Sequence, residues 1–116
     1  MKIISFDIDG VIYNGEDLPG LIPGPNDIII TGRSFEEAEV TDEMLKNRGI
    51  HNSVFYHQVP FKKKTRELSG YHKANILKVY SECVIHYEDD PIQADIIRIE
   101  CPHIKVILLD NPWVAK

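Results

Sequence analysis

Short apolar runs rich in β-branched residues recur along this 116-residue chain, separated by stretches in which apolar positions return every three or four residues. The runs predict five strands: Lys2 to Ile8, Asp27 to Thr31, Ser53 to Tyr56, Cys83 to Tyr87 and Lys105 to Leu109. Helical spacing fills the later gaps. Ser34-Phe35-Glu36-Glu37 has the form of a capping box, and Ala38, Met44 and Leu45 give the helix behind it an apolar side that Gly49 ends. A second helix is predicted from Tyr71 to Tyr80, with Ile76, Leu77 and Tyr80 on one face. Pro91 opens a third, which runs through Ala94, Ile96 and Ile97 and stops before Pro102. Strands that alternate with helices imply right-handed crossovers, and so an α/β, three-layer Rossmann-like fold around a five-stranded parallel sheet.

In such sheets ligands gather at the carboxyl ends of the strands. Polar residues stand at three of those ends: Asp7 and Asp9 after the first run, Thr31, Gly32 and Arg33 after the second, and Glu88, Asp89 and Asp90 after the fourth. Side chains two apart on a strand share a face, so Asp7 and Asp9 converge where the chain leaves the sheet at Gly10. Two like charges so close ask for a cation or for proton-transfer chemistry. An acidic turn in which one Asp caps the next element is the plainer alternative. A calcium loop is excluded, because Val11 and a β-like run stand where an EF-hand needs a further ligand and a preceding helix. Each of the other clusters also has an ordinary explanation: Thr31-Gly32 leads into the Ser34 cap, and Asp90 before Pro91 is a good N-cap. Three such clusters at the same sheet end are harder to assign to capping alone.

Length and composition narrow the classes. The chain is expected to be one domain, and its net charge of −5 argues against a general nucleic-acid coat protein. A local basic run, Lys62, Lys63, Lys64 and Arg66, is expected to be a solvated loop. Cys83 and Cys101 lack metal or disulfide spacing, and the five histidines show no ligand pattern. With no signal-peptide pattern and no apolar segment of membrane-spanning length, the expected location is cytoplasmic, away from any membrane. Trp113 either closes the core or packs on a partner.

Taken in order, these residues resemble the haloacid dehalogenase superfamily of phosphatases and phosphotransferases. Asp7-Ile8-Asp9-Gly10-Val11 is similar to its first motif, DxDx[T/V], and Ile28 to Arg33 to its second, an apolar strand ending in Thr or Ser. Lys73, expected at the start of a helix, falls where the third motif has its lysine, with Lys64 and Lys78 as competitors; Val84 to Asp90 resembles the fourth, a strand ending in paired acids. The resemblance implies that Asp7 attacks phosphorus to form an aspartyl-phosphate and that Asp9 serves as general acid and base. It implies Mg²⁺ held by Asp7, the main-chain carbonyl of Asp9 and Asp89, with Glu88 in reserve and Asp90 as outer partner or helix cap. Thr31, the Gly32 amide, Arg33 and Lys73 would hold the phosphoryl group.

The gap from Val11 to Asn26 contains Pro19, Pro23 and Pro25, and Ser34 to His72 is used up by one helix, one strand and a basic loop, so no cap domain is expected. Capless members that share the DGV and ITGR wording act on sugar-acid phosphates as oligomers whose subunits cover each other's sites. Because the net charge is negative, a phosphorylated small molecule or nucleotide is the expected substrate. The run FKKKTRELSGYHK also resembles polynucleotide phosphatase domains, so Lys62, Lys63 and Lys64 are candidates for contacting a nucleic-acid end. The rival function class is a non-catalytic module that keeps the fold and binds Mg²⁺ or a partner.

Overall fold

The computed structural model describes residues 2–110; Trp113 lies outside them. Five strands form one parallel sheet in the order β3-β2-β1-β4-β5, with β1 Ile3–Phe6, β2 Ile28–Ser34, β3 Val54–His57, β4 Cys83–Glu88 and β5 Lys105–Leu108. This is the α/β, Rossmann-like arrangement expected. Strand order reverses at β1, which pairs with β2 on one side and β4 on the other, so the ends of β1, β2 and β4 adjoin.

Helices α1 (Ala38–Asn47), α2 (Arg66–Val79) and α3 (Pro91–Glu100) supply the crossovers. On one face of the sheet α2 and α3 bury Ala74, Leu77, Ala94 and Ile97 against Ile3, Ile28, Ile30 and Cys83. On the other, Leu45 of α1 packs with Phe6, Ile8, Val11, Ile12, Ile29 and Ile50. Much of that second layer comes from the connection between β1 and β2, which carries no helix. Ile8, Val11 and Ile12 are each at most 1 % exposed, so the loop is anchored by apolar burial in place of a helix.

The helix starts follow from their caps. Ser34 and Glu37 form the expected capping box, here around a 3₁₀ turn, Phe35–Glu37, that leads into α1. Asp90 caps α3 with Pro91 in its first turn. Helix α2 differs from expectation: it begins at Arg66, five residues before Tyr71, because the Thr65 hydroxyl accepts from Leu68 N at 3.1 Å. Lys73 therefore sits in the middle of α2 instead of at its start. The basic run is likewise more structured than a solvated loop: Phe61–Lys63 is a 3₁₀ turn and Arg66 is already helical. No helix among the described residues is long and apolar enough to cross a membrane.

Candidate active site

Register places the polar groups. Ser5 of β1 pairs with His86 of β4, and along each strand the next residue on the same face is an acid, Asp7 and Glu88. Lys73, from the α2 layer, reaches both: its Nζ lies 2.7 Å from Glu88 Oε1 and 3.1 Å from Asp7 Oδ2, and it is fully buried. Burial alone would lower the Lys73 pKa, but Asp7 and Glu88 outweigh it and hold the ammonium well above its usual range.

Glu88 is saturated with donors. Its Oε1 takes Lys73 and, at 3.0 Å, His86 Nε2, while its Oε2 takes the N–H groups of Asp89 and Asp90 at 3.2 and 3.3 Å. Desolvation, with Lys73 nearby, pushes the His86 pKa down to about 3. The neutral ring then donates from Nε2 to Glu88, and Nδ1 accepts the Ser5 hydroxyl at 2.7 Å. Asp7 accepts from Ile8 N at 2.8 Å. Its carboxyl is pushed up to about 8, chiefly by burial and then by Glu88, against the lowering effect of Lys73. One ammonium thus faces two buried carboxyl groups, with a third acid beside them. Oxygens of Asp7, Glu88 and Asp89 lie within 4.8 Å of one another, a spacing one small hard cation can span.

Of these groups Asp7, Lys73 and Asp89 floor a cavity of about 670 Å³, lined also by Asp9, Gly32, Arg33, Lys64, Ser69 and Gln93, while Glu88 and His86 lie buried behind them. The rim is made of exposed or half-buried pairs. Arg33 grips Asp9 bidentately, Nε to Oδ2 at 2.9 Å and NH2 to Oδ1 at 2.7 Å. Lys64 bridges Glu37 Oε2 at 3.1 Å and the Gly32 carbonyl at 3.3 Å, and Arg66 pairs with Asp90. Burial would raise the Asp90 pKa, but Arg66, Gln93 and the Ile92 N–H outweigh it and hold the carboxyl low. Gly10 stands at φ +81 directly against the Asp89 side chain, so a Cβ there would collide with that carboxylate.

Most of the residues singled out in the sequence meet here, with differences. Asp7, Asp9, Gly32, Arg33, Lys73 and Asp89 all line the cavity. Thr31 does not; it is fully buried, and its hydroxyl accepts from Arg33 N at 3.0 Å. The Asp9 carboxylate stands apart from the acidic trio and faces Arg33. Glu88, held in reserve as a ligand, belongs to the acidic trio and is also the anchor of Lys73. Lys78 pairs with Glu100 and is no competitor for Lys73, while Lys62 and Lys63 are exposed and do not line the cavity. Ser69 and Gln93 were not foreseen. Ser69 lies one helical turn before Lys73 on the same face, so the i, i+4 spacing from that lysine was the available signal. Its hydroxyl approaches Gly32 closely enough that a Cβ at Gly32 would lie 3.0 Å away.

No family model, curated protein or solved structure matches this chain.

Proposed function

We propose that the chain is a Mg²⁺-dependent phosphomonoester hydrolase of the haloacid dehalogenase type, without a cap domain. Its substrate is a small phosphorylated metabolite or nucleotide. The observation that carries this reading is the convergence of Asp7, Glu88 and Asp89 within 4.8 Å beside the buried Lys73 ammonium, with Asp7, Asp89 and Lys73 on the floor of a cavity and Glu88 directly behind them. Three acids held so close suit a divalent cation. Because four donors already occupy Glu88, Asp7 and Asp89 are the carboxylates that would hold the ion, with the Asp9 carbonyl as a further oxygen. When bound, Mg²⁺ supplies charge neutralisation between an anionic phosphate and an acidic site.

The chain's own groups do the rest. Asp7 carries the nucleophilic oxygen, which forms a bond to phosphorus as the ester oxygen leaves. Asp9, half-exposed on the rim, gives the leaving alcohol its proton and later takes one from the attacking water. Lys73 holds Asp7 in place and offers positive charge to the phosphoryl oxygens as they gain charge in the transition state. The Gly32 amide and the Ser69 hydroxyl are the rim donors for the same oxygens.

The test is hydrolysis of an aryl phosphate with and without Mg²⁺ by the wild type and by Asp7→Asn. Turnover that needs Mg²⁺ and falls about 10³-fold or more in the variant is expected. Equal background rates in all four conditions would leave only a binding module. A panel of phosphorylated sugars, nucleotides and end-phosphorylated oligonucleotides at two salt concentrations then identifies the substrate. A preference for oligonucleotides that is lost in a Lys62→Ala, Lys63→Ala, Lys64→Ala triple variant would replace the small-molecule reading with a nucleic-acid one.

A further inference from the structure

The loop from Asp7 to Asp27 carries Asp9 yet has no helix to hold its shape, so its order must come from elsewhere. Part of it is local: the Ile8 carbonyl accepts from the N–H groups of Val11, Ile12 and Tyr13, and Gly10 N donates to the Tyr13 carbonyl at 2.9 Å. That last bond ties the main chain beside Asp9 to Tyr13. Further along, the loop's carbonyls converge on a single side chain. Arg48, the residue that caps the end of α1, donates from NH1 to the Ile12 and Leu18 carbonyls, both at 3.3 Å, and from NH2 to those of Gly15 at 2.7 Å and Glu16 at 3.1 Å.

The same guanidinium lies over the Tyr13 ring, 4.9 Å from its centroid, and Arg33 also lies over that ring at 5.6 Å. Arg33 is fixed on its remaining side by Thr41 Oγ1 at 3.1 Å, and its free edge grips both oxygens of Asp9. Arg48 itself does not line the cavity that holds Asp7 and Asp9; it borders a second cavity together with Tyr13 and Arg33.

We infer that Arg48 is a positioning residue for the Asp9 carboxylate, acting through the loop carbonyls and through the Tyr13 ring on which Arg33 rests. The inference builds on the acid–base role proposed for Asp9. A planar fork with paired N–H groups can gather four carbonyls and stack on a ring at once, whereas an ammonium offers three donors from one point and no stacking plane. Lysine at this position therefore keeps the charge and loses the function.

A displaced general acid has a kinetic signature that simple loss of stability lacks. An alkyl phosphate needs its leaving oxygen protonated, whereas p-nitrophenolate leaves without help. Wild type, Arg48→Lys and Arg48→Gln are compared on ethyl phosphate and p-nitrophenyl phosphate, each at saturating Mg²⁺ and below the variants' melting temperatures. The expected result in both variants is a kcat on ethyl phosphate lower by about 10- to 100-fold, a much smaller loss on the aryl ester and little change in KM. Equal losses on the two esters, or wild-type behaviour of Arg48→Lys, would overturn the inference. If the wild type hydrolyses neither ester, the acid–base reading of Asp9 fails and geometry alone decides about Arg48. The Arg33 Nε–H resonance should then move or broaden in Arg48→Lys, and its staying in place would overturn the positioning role.

Discussion

The floor and the rim of the cavity are built from the same kinds of charge in opposite settings. On the floor, Lys73 and Asp7 are almost without exposure and share donors and acceptors in one network with Glu88 and His86, which lie buried behind them. On the rim, Arg33–Asp9, Lys64–Glu37 and Arg66–Asp90 are separate pairs with one or both partners open to water. A buried charge can neither leave nor lose its partner cheaply, so the floor is fixed in shape and its protonation is coupled to whatever binds there. An exposed pair gains little from its attraction and can exchange partners. On the proposed function, the floor would suit the nucleophile and the ion, and the rim would suit groups that must move protons or admit a substrate.

The largest break in that comparison comes from the floor's single ammonium. Lys73→Met leaves Glu88, and above about pH 8 Asp7 as well, buried without compensation, and is expected to cost about 3–5 kcal/mol in urea unfolding, together with turnover. The deficit should widen as pH rises through about 8, where Asp7 loses its proton and comes to need the ammonium, and should be nearly independent of Asp7 below that value. Adding Glu88→Gln to Lys73→Met should recover part of the lost stability, and a double variant that shows strictly additive losses would contradict the network.

Next in size is the pH dependence of Mg²⁺ binding. With the Asp7 carboxyl raised to about 8, the group is protonated below that value and the ion must displace a proton; above it the carboxylate is already free. Affinity should therefore rise with pH up to about 8, by at most about tenfold per pH unit, and flatten beyond. Calorimetry in buffers of different ionisation enthalpy reads the released proton directly, and zero release at neutral pH would contradict the burial argument. The smallest effect belongs to the rim. Lys64→Ala should change stability by only about 0–1 kcal/mol, an effect that shrinks further with added salt. A loss as large as that of Lys73→Met would erase the distinction between the two regions.

Much of the fold was legible because its signals are local. Isoleucine-rich runs marked β1 and β2, Ser34 with Glu37 marked the entry to α1, and Asp90-Pro91 marked the start of α3. The start of α2 was missed because its cap, Thr65, stands directly behind three lysines that read as a loop. The site divides in the same way. Asp7, Asp9 and Asp89 follow strands, where the fold class already directs attention, whereas the duties of Glu88 and Ser69 depend on which face a strand presents and how a helix is rotated above it. For Glu88 a period-two reading of β4 was available: His86 and Glu88 alternate inward, and a buried acid beside a buried histidine needs a cation. Arg48 gave no signal, because a helix-ending arginine is ordinary until the carbonyls it collects are in view.

A crystal structure with Mg²⁺ and beryllofluoride tests the central claim most directly. The fluoride complex should sit on an Asp7 oxygen, with one magnesium ion shared by Asp7 and Asp89 and Lys73 within hydrogen-bond distance of a fluorine. Beryllofluoride absent from Asp7, or magnesium bound away from these two carboxylates, would contradict it.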